Sequence, residues 1–131
     1  VRPESTISDA QRTSCSSDLN KLASKRKILF GSGSADLDSS SNKVLDEIAA
    51  TIKRCGDISV RVEGHTDSTG GAKKNQEISE ARAKSVVDYL AGAGLDRAKL
   101  TAVGYGESKP IASNKSRKSR ALNRRIEFTI E

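Results

Sequence analysis

Two rhythms of apolar and polar positions organise most of this chain. The segment "ISVRVEG" switches at every residue, with Ile58, Val60 and Val62 on one side and Ser59, Arg61 and Glu63 on the other. A period of two predicts a strand that is buried on one face only. Leu45, Ile48, Ala49 and Ile52 return every three or four residues instead, which predicts a helix over about 41–54. Ala83, Val86, Val87 and Leu90 stand at i, i+3, i+4 and i+7, so a second long helix is expected over about 75–93. Further strands are expected over 100–104 and in "RRIEFTI", where Ile126, Phe128 and Ile130 share the inward phase. An apolar run ending at Phe30 reads as one more strand, preceded by a short helix capped by Ser17 or Asp18. A last short helix is expected near 115–122. Residues 1–15 carry no periodic pattern and read as a flexible tail or linker, which leaves one domain over 16–131.

Strands that alternate with amphipathic helices predict an α/β fold, here an α+β sandwich. The expected sheet is mixed and four-stranded, in the order β-α-β-α-β-(α)-β. Its strands are half polar, so the helices should pack on one face only. With two Phe, two Tyr and no Trp in 131 residues, the core has to be aliphatic.

Charge adds a direction. The net charge is +6, and residues 108–126 hold seven basic side chains and no acidic one. Such a stripe suits an anionic partner, or is a solvated loop. It could supply phosphate contacts, but the four aromatic residues sit mostly in core-like positions, so a base-stacking platform is lacking and nucleic acid is not the expected partner. No apolar run is long enough to span a bilayer. The chain begins with Val and shows no signal peptide, so it reads as a processed chain or a fragment, attached to a membrane only through segments outside it. Cys15 and Cys55 are too few for a zinc cage and form no C-x-x-C pair. They are either one disulfide, stabilising by roughly 3–4 kcal/mol in an oxidising compartment, or two unrelated thiols.

Candidate chemistry gathers in "VEGHTDSTGGAKKNQEISEAR", residues 62–82. His65 is the sole histidine, and no cysteine stands near it, so no metal site is expected. No G-x-S-x-G elbow, G-x-G-x-x-G fingerprint or phosphate loop occurs, and no cofactor is expected. On a helical wheel Asn75 and Arg82 nearly superpose, with Ile78 between them. That places Arg82 beside the end of the Val62 strand, where Thr66 and Asp67 follow. Arg124 shares the inward phase of Ile126 and Phe128, so a carboxylate and two guanidiniums converge at one rim. Two readings stand: a structural Asp67–Arg82 ion pair, or a site for a zwitterion. In the second, Asp67 accepts from an ammonium and Arg82 holds a carboxylate through bidentate bonds. Nothing there is a nucleophile, so the site binds and does not react.

The segments "VEGHTDSTGGAKKNQEISEARAKSVVDYL", "AVGYGESKPIASN" and "RALNRRIEFTI" closely resemble the OmpA-like C-terminal domain family, which includes peptidoglycan-associated lipoproteins and flagellar stator proteins. The resemblance covers about 27–131. It implies a periplasmic domain, attached to the outer membrane or cell envelope, that binds peptidoglycan non-covalently through the diaminopimelate of its stem peptide. It assigns the ligand's charged ends to Asp67 and Arg82, with Asn75, Thr66 and Arg124 matching further family positions. It makes His65 a structural residue of the turn. Many members carry an acidic residue where Gly31 follows Phe30; here the loop is expected to offer backbone groups near Gly33 and Ser34. A Cys15–Cys55 bridge is not general to the family, though it would be chemically natural in the periplasm. The rival reading is an interaction domain whose basic stripe docks an acidic protein.

Overall fold

A computed structural model describes residues 8–131. Helix α1 spans Asp9–Lys25, a 3-10 turn Ser39–Ser41 leads into α2 (Asn42–Arg54), and strand β1 follows at Val60–His65. Helix α3 (Ala72–Gly92) crosses over, a second 3-10 turn Arg97–Lys99 opens β2 (Leu100–Gly106), and α4 (Arg117–Asn123) precedes β3 (Arg125–Ile130). β1 is central, parallel to β2 and antiparallel to β3.

The two rhythms mark real elements. Val60 and Val62 of β1 and Ile126 and Phe128 of β3 point into an aliphatic core shared with Leu45 and Ile48 of α2 and Val86 and Leu90 of α3. Removing such side chains from water supplies most of the drive to fold. α3 lies close on β1 and β2 because two glycines permit it. A Cβ on Gly64 would fall 2.2 Å from the Ser79 carbonyl oxygen, and one on Gly104 would fall 2.4 Å from the Glu80 amide nitrogen. Ser79 also accepts the Gly106 N–H at 2.9 Å, locking helix to strand.

Two expectations are corrected. The sheet has three strands among the described residues, not four. The segment ending at Phe30 makes an isolated bridge to Leu37, and its backbone is engaged by its own loop. Leu29 N–H donates to Ser41 Oγ at 2.7 Å, and Leu29 C=O accepts from Asp38 N–H at 2.9 Å. The outer edge of β3 is met at Phe128 by a side chain: Asn20 donates to the Phe128 carbonyl at 2.8 Å and accepts its N–H at 2.9 Å. An amide that both donates and accepts does there what a neighbouring strand would.

The helix before that segment begins at Asp9 rather than near Ser17. The first seven residues of the expected tail lie outside the described residues. A capping box starts α1, with Ser8 Oγ accepting from Gln11 N–H and Gln11 Oε1 accepting from Ser8 N–H. Only Leu19 and Ala23 of this helix are buried, which is why no apolar period betrays it. A Cys15–Cys55 disulfide, Cα–Cα 6.1 Å, ties α1 to the end of α2. Among the described residues no helix is long and apolar enough to cross a membrane.

Candidate functional site

β1 delivers the chain to a turn that is held by its own side chains. Thr66 N–H extends the sheet by donating to Gly106 C=O at 2.8 Å, while Thr66 Oγ1 donates to the Asp67 carbonyl at 2.8 Å. Asp67 Oδ1 accepts the Thr69 N–H at 2.8 Å, an Asx-type closure. Asn75, from the first turn of α3, reaches back to the carbonyls of Asp67 (3.3 Å) and Thr69 (3.0 Å) and to Glu107 (3.1 Å). Thr66, Asp67 and Asn75 are all buried.

Asp67 is not paired with Arg82. Its Oδ2 accepts from Arg124 Nη1 at 2.6 Å, so the inward phase of "RRIEFTI" does bring Arg124 to the rim. Burial alone would raise the Asp67 carboxyl, but the Thr69 N–H and the Arg124 guanidinium outweigh it and hold the group below its ordinary value. Arg82 turns to the loop after Phe30. Its Nε donates to Ser34 C=O at 2.8 Å, Nη2 reaches Gly31 C=O at 3.5 Å, and the guanidinium carbon lies 5.0 Å from the centre of the Phe30 ring. Burial, then the charge of Arg124, lowers the Arg82 guanidinium from its ordinary value, with Asp67 opposing.

Between these parts lies a cleft of about 480 Å³ lined by Phe30, Lys27, His65, Arg82, Arg124 and Arg125 among others, with no carboxylate in its wall among the described residues. Asp67 joins it at the rim through Arg124. Gly33 lines the cleft, and Ser34 offers its carbonyl to Arg82. Ile78 is half-buried and does not line the cleft. Two cations were not foreseen. Lys27 donates to the carbonyls of Arg124 (2.7 Å) and Ala121, and Arg125 also lines the cleft. Their only signal in sequence was the basic character of "KRK" and "NRR" beside apolar runs. His65 stacks on Tyr105 with centroids 5.3 Å apart.

A model of the OmpA family matches residues 29–124. The peptidoglycan-binding protein ArfA of Mycobacterium tuberculosis is 39% identical over 103 residues, which is 79% of this chain and 32% of that protein. The outer-membrane lipoprotein YfiB of Pseudomonas aeruginosa is 39% identical over 104 residues, 79% of this chain and 62% of that protein. The chain thus spans about a third of the length of ArfA. Among solved structures, the peptidoglycan-associated lipoprotein of Burkholderia pseudomallei superposes with TM-score 0.75 at 26% identity, covering 89% of this chain and 99% of that one. The C-terminal domain of Helicobacter pylori MotB gives 0.73 at 27% identity, over 79% of this chain and 81% of that one.

Proposed function

The chain belongs to the OmpA family, and from that membership together with the charges of the cleft we propose that it is a non-catalytic domain that binds peptidoglycan and so anchors an envelope protein to the cell wall. The ligand read into the site is the diaminopimelate of the stem peptide. Its carboxylate enters the cleft toward Arg82, assisted by Arg124, and its ammonium meets Asp67 at the rim.

One observation carries this reading: Arg82 is a half-buried cation that has no carboxylate partner among the described residues. It is oriented by two backbone carbonyls and an aromatic ring, and Lys27, Arg124 and Arg125 share its cleft. A cation withdrawn from water without a counter-ion is costly, so an entering carboxylate gains both the charge-assisted bonds and relief of that cost. Ser34 and Gly31 occupy Nε and one edge of Nη2, which leaves Nη1 for the ligand. At the rim, Arg124 now sits on Asp67 where the ligand's ammonium would go. Binding then transfers Arg124 from Asp67 to the ligand carboxylate, an exchange that keeps every charge paired. Thr66 and Asn75 serve by fixing the turn that presents Asp67. A disulfide in so small a domain suits an oxidising compartment, and we place the domain in the periplasm.

The test is isothermal titration of a diaminopimelate-containing stem peptide into wild type, Asp67→Ala and Arg82→Ala. Each folded variant should lose at least about 30-fold in affinity, the usual cost of removing one partner of a buried charged contact. Amidating the ligand carboxylate should weaken binding to wild type but make little difference to Arg82→Ala. No heat with wild type, together with failure to sediment with isolated cell-wall sacculi, overturns the reading.

A further inference from the structure

The face of the sheet turned away from the helices carries a second cluster, which adjoins the cleft through His65 and Arg125 but whose carboxylates do not line it. Arg61, Glu63 and His65 share that face of β1, and in the antiparallel register Glu63 stands opposite Glu127 and His65 opposite Arg125. One ligand atom each from Glu63, His65 and Glu127 lies within 4.8 Å of the others. Glu63 is 7% exposed and His65 4%. Neither ring nitrogen of His65 has a hydrogen-bond partner among the described residues. Stacking on Tyr105 covers the ring's face and does nothing for its in-plane nitrogens. A buried imidazole with both nitrogens unsatisfied is rare in folded proteins and asks for a cause.

We propose that Glu63, His65 and Glu127 form a binding site for a transition-metal dication of the zinc class. One imidazole nitrogen and two carboxylate oxygens are a familiar three-ligand set, with water completing the tetrahedron. Donors of one zinc ion stand no more than about 4 Å apart, so closing the site needs only a small contraction. Glu127 is the ligand that can move, since its side chain is 39% exposed. Each carboxylate keeps an oxygen for the metal: Arg61 Nε donates to Oε2 of Glu63 and Arg125 Nε to Oε2 of Glu127, which leaves the two Oε1 atoms outside these pairs. Thr129 Oγ1 also donates to Glu63 Oε2, at 3.1 Å, and fixes the carboxylate from behind. Such outer partners orient ligands in known metal sites. The same two guanidiniums decide the class of ion. They nearly cancel the acid charge, so a hard cation that depends on several anionic oxygens gains little here, whereas an ion with affinity for imidazole gains a directed bond. Spacing along the chain hides the site, because β-sheet pairing brings its third ligand, Glu127, from the last strand to the central one.

The single histidine makes the test direct. Zinc chloride is titrated into the 131-residue protein at neutral pH while the imidazole nitrogens are followed by ¹⁵N NMR, with affinity from calorimetry. Wild type should show a large shift of one ring nitrogen at a one-to-one ratio, and magnesium should leave the ring unmoved. Glu127→Gln, at a half-exposed position that should fold normally by circular dichroism, should bind zinc at least about tenfold more weakly. Glu63→Gln should do the same. Ring signals that ignore zinc, or zinc affinity unchanged in both variants, overturn the proposal. An equal response to magnesium overturns the assignment to the zinc class.

Discussion

The turn after β1 and the loop after Phe30 both border the charged cleft, yet they are held in opposite ways. The turn is fixed from within and below: Asp67 closes on Thr69, Thr66 on Asp67, and buried Asn75 binds two of its carbonyls. The loop is fixed from across the cleft, by α3. Arg82 binds the carbonyls of Ser34 and Gly31, and Ser85 donates to Ala35 C=O at 2.7 Å. The turn therefore presents Asp67 ready-made, whereas the loop leans on the side chain that the proposed ligand would engage. Ligand entry should tighten the loop more than the turn.

The largest effect should come from a part of the molecule that touches neither wall. Opening the Cys15–Cys55 bridge frees a loop of 40 residues and should cost about 4 kcal/mol, lowering the melting temperature by about 15 °C. Stem-peptide affinity of the reduced, still folded protein should be unchanged. Scanning calorimetry with and without reductant, on a sample shown by mass to be oxidised beforehand, checks the first half. An affinity that falls with reduction would mean that α1 supports the cleft.

Gly64→Ala attacks the base of the turn. The new methyl meets the Ser79 carbonyl oxygen at 2.2 Å, a backbone atom that cannot swing aside. A loss of about 3 kcal/mol in urea unfolding is expected, with the turn displaced and binding weakened. A variant as stable as wild type would show that α3 can slide on β1. Asn75→Ala is milder. It removes the amide that bridges the Asp67 and Thr69 carbonyls, leaves the first to Thr66 Oγ1 alone and frees the turn, for about 2 kcal/mol, and should weaken stem-peptide binding without emptying the cleft of cations.

The same contrast explains what the sequence made legible. β1, α2 and α3 announce themselves because each buries a full stripe, so chemistry tied to them by short spacing, such as Thr66, Asp67 and Asn75, could be placed. α1 buries only Leu19 and Ala23 and leaves no rhythm to read; its evidence was the Ser8–Gln11 capping box. "KILF" has a strand's composition, but whether three apolar residues pair with a sheet depends on Asn20 and Ser41, which are remote in sequence or on the far side of a loop. The choice of Arg124 over Arg82 as the partner of Asp67 is likewise a matter of tertiary distance, and strand parity could bring Arg124 to the rim without deciding the pairing. Lys27 and Glu127 were invisible for that reason too.

The smallest predicted effect separates the two walls most cleanly. Ser85→Ala removes one hydroxyl whose partner is the Ala35 carbonyl, at a half-buried position, so the global cost should be about 1 kcal/mol or less. The loop should nonetheless open more often, because Arg82 is then the one α3 side chain, among the described residues, that still ties it across the cleft. Native-state hydrogen exchange reads this directly. The amides of Gly31, Ser34 and Asp36, bonded respectively to Asp36 C=O, Gly31 C=O and Ser34 Oγ, should exchange faster. Those of Thr66 and Thr69, bonded to Gly106 C=O and Asp67 Oδ1, should keep their wild-type rates. Saturating stem peptide should restore protection in the loop, since its carboxylate immobilises Arg82 and Arg82 immobilises the loop. If both walls loosen together, they form one cooperative unit and the turn is not ready-made. If the loop loosens and the ligand fails to restore it, Arg82 binds the loop and the ligand independently, and the coupling across the cleft does not exist.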